Sequence, residues 1–149
     1  MREDNPHVVV PPPLIFGGTL ILGLFAQRSS PDLSLGSALG TVLVCIGTTL
    51  IVLALGLFRD SRTRPEPWQP ATALVIAGIY KRTRNPMYLG MAALSLGIAL
   101  LFQSWAAVLL VLMATLIIDR FVITREEAYL LRRFGGDYQA YQFRVRRWI

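Results

Sequence analysis

The segment Gly78-Ile-Tyr-Lys-Arg-Thr-Arg-Asn-Pro-Met-Tyr-Leu-Gly90 places a cationic loop directly before an apolar helix that begins at Pro86. A proline suits the first turn of a helix, because the N–H group that it lacks would have no partner there. The free N–H groups of the helix start, and the positive end of the helix dipole, then face the cationic loop. We therefore predict that this loop attracts an anionic group.

The composition of the 149 residues indicates a membrane protein. Apolar residues make up 54% of the chain and charged residues only 16%, whereas charged residues make up about a quarter of an average protein. The apolar residues occur in blocks, and the basic residues that give the formal net charge of +6 lie between these blocks. We interpret the basic residues as topology signals and lipid-headgroup contacts, and expect no nucleic acid as a partner.

The single cysteine and the single histidine limit the possible chemistry. Cys45 lies inside an apolar block and excludes an internal disulfide or a thiolate metal cluster. His7 lies in the polar N-terminal tail, so a two-His zinc site is not possible. We expect no metal site and no histidine general base.

The apolar blocks predict an all-α integral membrane protein with about four transmembrane helices in one domain, residues 1–149. Residues 8–58 are expected to hold two N-terminal spans, separated by a polar loop at residues 27–34. The first span begins with a run of prolines and covers only about 20 Å as a helix, against about 30 Å for the hydrocarbon core. A cleavable signal peptide is the alternative for this block, although no small-residue cleavage pattern stands out near Gln27.

The second half of the chain predicts a loop, a helical hairpin and a tail. Residues 59–86 form the loop, with Trp68 expected at the membrane interface. The apolar piece at residues 71–80 is too short to span, and we expect it to be a surface or re-entrant element. The following apolar block is too long for one ordinary span, and Ser104 near its middle is a suitable N-cap for a second helix. We therefore predict a hairpin over residues 87–123 and a cytoplasmic tail over residues 124–149.

The tail carries an aromatic face. Tyr138, Tyr141 and Val145 fall on one side at helical spacing, and basic residues alternate with them. This amphipathic pattern predicts a tail that lies along the membrane surface.

The distribution of basic residues predicts the orientation of the chain. These residues are concentrated in the loop and the tail, and Arg28 is the one that falls on the opposite side. By the positive-inside rule, both polar segments and both termini face the cytoplasm. A hairpin returns the chain close to its start, so the cationic loop and the acidic pair Glu126-Glu127 are expected to meet.

The acidic residues have two interpretations. Asp119 and Glu126 are seven residues apart and share a helix face, whereas Glu127 points about 100° away. On charge pattern alone, one glutamate pairs with a loop arginine, and the loop binds headgroups. The alternative is a pocket for a small zwitterion, because both charge clusters lie beside an apolar wall.

Two motifs resemble one family. RTRNPMYLG at residues 82–90 and REEAYLLRRFGGDYQAY at residues 125–141 resemble the signature of the isoprenylcysteine carboxyl methyltransferase and phospholipid methyltransferase superfamily. Its members are integral-membrane enzymes that use S-adenosylmethionine and release S-adenosylhomocysteine. The resemblance covers roughly the second half of the chain, and it implies a methyltransferase acting on a lipophilic or membrane-embedded carboxylate, amine or thiol.

The resemblance also implies a set of site residues. A carboxylate such as Glu126 can hold the cofactor's ammonium group, and Arg84 its carboxylate. Gly90 would let the ligand approach the backbone. The candidate cofactor-binding residues are Gly78, Tyr80, Arg84, Asn85, Pro86, Tyr88, Leu89, Gly90, Glu126 and Tyr138. The candidate catalytic residues are Arg84, Asn85, Tyr88 and Glu127.

Asn85 departs from one branch of the superfamily, since the prenylcysteine enzymes usually have histidine there. Asparagine at this position resembles bacterial and phospholipid-type relatives, so we expect a bacterial inner membrane, and the positive-inside rule predicts a cytoplasmic active site. It weakens the expectation of a prenylcysteine substrate but not that of the cofactor. Two alternatives remain open, namely an NADPH-dependent membrane reductase of the sterol reductase type and a non-enzymatic lipid-binding membrane protein, and the oligomeric state is also open.

Overall fold

The computed structural model describes residues 10–26, 35–66 and 69–149, and the regular secondary structure in this part of the chain is all helical, without a strand. The polar loop at residues 27–34, His7 and Trp68 lie outside the described residues. The α-helices are α1 (Pro12–Ala26), α2 (Leu35–Asp60), α3 (Pro86–Leu101), α4 (Trp105–Ile117), α5 (Thr124–Phe134) and α6 (Gly136–Arg144). A 3-10 turn (Gly78–Lys81) precedes α3, and a π-helical segment (Ile118–Ile123) joins α4 to α5.

Four apolar helices give the molecule its membrane character. The runs Gly36–Asp60 and Trp105–Phe134 are long and apolar enough to cross a membrane, with mean hydropathies of 2.5 and 2.4. Pro12–Ala26 and Pro86–Leu101 are apolar but shorter. The prediction of an all-α membrane protein is confirmed.

Helices α2 and α3 pack through glycines. A Cβ atom at Gly97 would lie 2.7 Å from the carbonyl oxygen of Gly40, and one at Gly47 would lie 2.6 Å from the carbonyl oxygen of Gly90. Neither distance is possible for a real side chain, so the two backbones touch at both levels. We call Gly40, Gly47, Gly90 and Gly97 the glycine seam, a type of contact that is common between helices in lipid.

The hairpin between α3 and α4 turns at Ser104, as predicted. Ser104 is the N-cap of α4, and its Oγ atom accepts a hydrogen bond from the N–H group of Ala107 at 3.2 Å. The same hydroxyl donates to the carbonyl oxygen of Gly23 in α1 at 2.9 Å. The turn is therefore capped locally and also tied to the first helix.

The loop between α2 and α3 packs against the end of α2. Its apolar piece was predicted as a surface or re-entrant element. It is an irregular chain that leads into the 3-10 turn, and Val75 and Tyr80 are buried against Ala54. The ring of Tyr80 contacts that of Phe58 edge-on at a centroid distance of 5.8 Å.

The tail packs on the protein itself. Tyr138, Tyr141 and Val145 form a buried cluster with Leu74 and Leu130. Membrane lipid is therefore not the partner of this aromatic face, because the loop and α5 already cover it, whereas the position of the tail along the membrane surface stays a prediction. The amphipathic pattern was read correctly, but the partner of the apolar face was not.

Candidate functional site

A polar cleft opens where the loop, the start of α3, α5 and α6 come together. Its empty space is about 860 Å³, part of which is open to solvent. Charged and aromatic groups are prominent in its wall, namely Arg64, Glu66, Tyr80, Arg84, Asn85, Tyr88, Glu126, Glu127, Tyr129, Tyr138 and Tyr141.

Glu126 and Tyr88 connect the two ends of the hairpin. The hydroxyl of Tyr88, in the first turn of α3, donates a hydrogen bond to Glu126 Oε1, in the first turn of α5, at 2.9 Å. Tyr88 is buried, and its hydrogen bond turns one carboxylate oxygen of Glu126 toward α3. The cationic loop and the acidic pair therefore meet, as expected from the hairpin.

Arg84 and Glu127 form the ionic centre of the cleft. Arg84 Nη1 lies 2.9 Å from Glu127 Oε1, and the two side chains are 14% and 13% exposed. The contact has an ion-pair distance but is not aligned as a hydrogen bond. Arg84 Nε and Nη1 are both buried without a hydrogen-bond partner among the described residues, and Glu66 Oε2 is in the same condition. The cleft thus holds unsatisfied donors and an unsatisfied acceptor.

Residues 145–149, which we call the C-terminal strap, lie behind this centre. The Arg147 guanidinium donates to both oxygens of Glu127, with a distance of 3.2 Å from Nε to Oε1. Its Nη1 atom also donates to Asp119 Oδ1 at 3.3 Å. Trp148 Nε1 donates to the same Asp119 oxygen at 2.9 Å.

The strap also holds the cationic loop. The N–H group of Arg84 donates to the carbonyl oxygen of Arg146 at 3.0 Å. The carbonyl oxygen of Arg147 accepts from Asn85 Nδ2 at 3.0 Å and from Thr83 Oγ1 at 3.2 Å. One short segment therefore contacts both walls of the cleft.

The π-helical segment changes which acidic residues face the strap. In a regular α-helix each residue advances by about 100°, so Asp119 would share a face with Glu126. The wider π turns between Asp119 and Glu127 shift this phase, and Arg147 contacts those two residues together. Asp119 therefore shares a helix face with Glu127 and not, as expected, with Glu126.

Tyrosines form the aromatic wall of the cleft. Burial, with a further contribution from the negative charge of Glu127, raises the pKa of Tyr138 to about 12. Burial also raises the pKa values of Tyr80 and Tyr141 above their ordinary value. The Tyr141 hydroxyl donates to the carbonyl oxygen of Tyr80 at 2.8 Å. At neutral pH these phenols are uncharged hydrogen-bonding groups.

The cleft brings together most of the candidate site residues, but not all. Those in its wall are Tyr80, Arg84, Asn85, Tyr88, Glu126, Glu127 and Tyr138, whereas Gly78, Pro86, Leu89 and Gly90 do not line it. Gly90 belongs to the glycine seam, and a Cβ atom there would lie 2.8 Å from Ile51 Cγ1 in α2. It serves helix packing, so the expected approach of a ligand to its backbone is not what the structure shows. Gly78 packs against Leu57 with a φ of +55°, which glycine tolerates best.

Sequence reasoning missed part of the site. Arg64 and Glu66 line the cleft, but they stand in a charged, proline-rich loop where charge indicates only topology. Tyr141 was assigned to a membrane-facing surface, and Arg147 to headgroup contacts. The sequence shows the helical spacing of Tyr141 and the basic charge of Arg147, but no neighbouring residue indicates which groups they contact.

Comparisons with known proteins identify the family. A model of the phospholipid methyltransferase family matches residues 35–137, more than half of the chain. The protein belongs to the phospholipid methyltransferase family. The resemblance read from the two motifs is thereby confirmed at the level of the superfamily.

Two relatives of this phospholipid methyltransferase family member are informative. An uncharacterized protein of Haemophilus influenzae is 40% identical over 63 residues, which are 42% of this chain and the whole of that protein. A protein-S-isoprenylcysteine O-methyltransferase of Schizosaccharomyces pombe is 37% identical over 75 residues, which are 48% of this chain but only 30% of that enzyme. No solved structure matches the chain. Family and relative together support a membrane methyltransferase.

Proposed function

We propose that the protein is an S-adenosylmethionine-dependent methyltransferase with a lipophilic acceptor, and that the polar cleft is its cofactor site. The main support is the buried Arg84 guanidinium, whose Nε and Nη1 atoms make no hydrogen bond among the described residues, although Nη1 is ion-paired with Glu127, in a cleft that also contains carboxylates. A buried donor left unsatisfied costs about 1–3 kcal/mol. An anionic group of a ligand would remove this cost, and the family supports a methyl donor as that ligand.

The residues present fit the charges of S-adenosylmethionine. Arg84 would hold the carboxylate group, because its buried Nε atom makes no hydrogen bond among the described residues and a guanidinium binds carboxylates through charge-assisted hydrogen bonds. Glu126 would accept from the ammonium group, and Glu66 Oε2 would accept from a further donor such as a hydroxyl group. Tyr138 and Tyr80 supply aromatic surface for the adenine ring.

Glu127 and Asn85 would act by orienting other groups. Arg84 and Arg147 already contact the oxygens of Glu127, which suits it to holding Arg84 in place rather than to accepting a proton. The Asn85 amide is hydrogen-bonded to the strap. When bound, S-adenosylmethionine supplies an activated methyl group on a sulfonium centre. The role of the chain is then to align the acceptor with that centre and to exclude water.

The acceptor would reach the cleft from the bilayer. Apolar residues make up the rest of the cleft wall, among them Phe58, Leu74, Val75, Met87 and Leu130. Such a wall suits a lipid-like molecule that carries a carboxylate, amine or thiol. We place the cleft on the cytoplasmic side of a bacterial inner membrane, with both termini on that side, because the basic residues surround it.

The test compares ligands and a single substitution in detergent-purified protein. We expect S-adenosylhomocysteine to bind and NADPH not to bind, as measured by calorimetry. Glu126→Ala is expected to abolish binding without unfolding the protein, whereas Asp60→Ala, which removes an exposed carboxylate at the end of α2, should leave the affinity unchanged.

The same preparation, incubated with labelled S-adenosylmethionine and total lipid extract, should yield a methylated lipophilic product. Binding of NADPH alone would favour the reductase alternative. Binding of neither ligand would favour a non-enzymatic lipid-binding protein.

A further inference from the structure

The C-terminal strap lies outside residues 35–137, which the family model matches. Its sequence, Val145-Arg-Arg-Trp-Ile149, resembles a basic surface tail. Arg147 nevertheless directs its guanidinium inward, with a side chain 31% exposed, onto two carboxylates. Its donors are therefore engaged within the protein and not directed at lipid headgroups.

Arg147 contacts the two walls of the cleft with different atoms. Its side chain binds Glu127 and Asp119 on the acidic wall. Its carbonyl oxygen binds Asn85 and Thr83 on the cationic wall. The contacts to the loop span 62 and 64 residues of sequence, so the strap is a long-range connection and not a local turn.

We propose that Arg147 is a positioning residue for the ligand in the cleft, and that it acts by fixing Glu127 and Asn85. Arg147 does not line the cleft itself, whereas Glu127 and Asn85 do. Because Glu127 contacts Arg84 on one side and Arg147 on the other, the orientation of the ligand-facing Arg84 depends on Arg147. The identity of the ligand rests on the proposed function, whereas the contacts of Arg147 with Glu127 and Asn85 are independent of it.

The geometry requires arginine at this position. A guanidinium has donors on separate nitrogens in a fixed plane, so one group can bind Glu127 and Asp119 together. A lysine ammonium is a single point of charge and can satisfy only part of this arrangement. The lysine variant is therefore expected to be intermediate, and it separates loss of geometry from loss of charge.

The first measurement needs no ligand. Hydrogen exchange is followed at the Arg84 amide, which donates to the strap carbonyl of Arg146. Arg147→Ala should raise its exchange rate by about tenfold or more, because the strap loses its attachment to α5. The matched control is Arg144→Ala, which removes an exposed arginine of α6 whose Nε atom bonds within its own helix, and it should leave the rate unchanged.

The second measurement is the affinity for S-adenosylhomocysteine. Arg147→Ala should weaken binding by about tenfold, Arg147→Lys by less, and Arg144→Ala by less than about twofold. In a Glu127→Gln background, the effect of Arg147→Ala should shrink to about threefold or less, since both substitutions break the same chain of contacts.

The outcomes separate the inference from the proposed function. If Arg147→Ala lowers the melting temperature but changes neither exchange at Arg84 nor affinity, Arg147 is merely structural and the inference is overturned. Equal effects of Arg147→Ala with and without Glu127 would also overturn it. If the wild-type protein does not bind S-adenosylhomocysteine, the proposed function fails, and exchange at Arg84 alone then decides whether Arg147 fixes the loop.

Discussion

The glycine seam and the polar cleft are held together by different parts of the chain. In the seam, backbone meets backbone, and a Cβ atom at Gly97 would come within 2.7 Å of the Gly40 carbonyl oxygen. In the cleft, the contacts are made by side chains such as those of Tyr88 and Glu126, which are 38 residues apart. The stability of the seam should therefore depend on side-chain volume, and ligand binding in the cleft should depend on side-chain charge.

The largest effect is expected from adding volume to the seam. A Cβ atom at Gly47 would lie 2.5 Å from the backbone nitrogen of Leu94, and a backbone atom cannot move away cheaply. Gly47→Val should therefore lower the free energy of unfolding by about 3 kcal/mol or more, seen as a loss of folded protein in detergent. Gly56→Val on the same helix is the control, since nothing lies within 4 Å of a Cβ atom there. Equal melting temperatures of the two variants would contradict the seam.

A smaller effect is expected from removing a charge from the cleft. Arg84→Ala should weaken the binding of S-adenosylhomocysteine by about tenfold, because a charged hydrogen bond is worth about 1.5–3 kcal/mol. Arg62→Ala removes an exposed cation of the same loop and should change the affinity little. Both variants should keep the wild-type melting temperature within a few degrees. Equal losses of affinity would instead indicate general attraction by the basic loop.

The smallest effect is confined to alkaline pH. The pKa of Tyr138 is raised from 10.0 to about 12 in the folded protein, first by burial and then by Glu127. The folded state therefore holds this proton more tightly than the unfolded state, so the stabilisation is fully present below about pH 10 and is lost as the pH rises through about 12. Tyr138→Phe should make the fall of the melting temperature across this range shallower. A curve parallel to that of the wild-type protein would contradict the shift.

The sequence allowed prediction of the features that depend on local pattern. Ser104 caps α4 because a short polar break in a long apolar block forces a turn, and its hydroxyl is suited to the cap. The meeting of Arg84 with the acidic pair followed from the hairpin alone. Tyr138 was found through a motif, and its place in the cleft wall agrees with that expectation, although its role is still a prediction.

The features that escaped prediction depend on partners far away in the chain. A glycine such as Gly90 looks the same whether it admits a ligand or a neighbouring helix. Arg147 looks like any basic residue near a membrane until Glu127 and Asp119 are known to face it. The π-helical segment that brings those two carboxylates together has no recognised local signature in this sequence. The assumption of a regular α-helix therefore placed Asp119 on the same face as Glu126 instead of Glu127.

The helical run Trp105–Phe134 begins at the Ser104 turn and carries two acidic residues of the cleft, Glu126 and Glu127. A packed helix moves as a rigid body. The two carboxylates therefore cannot shift toward a ligand unless the buried part of the hairpin shifts as well. The loop on the opposite side is irregular chain, which the strap and the end of α2 hold at separate points rather than along a continuous helix. Under the proposed function, we therefore expect the loop to adapt to acceptors of different size, while Glu126 and Glu127 keep their positions.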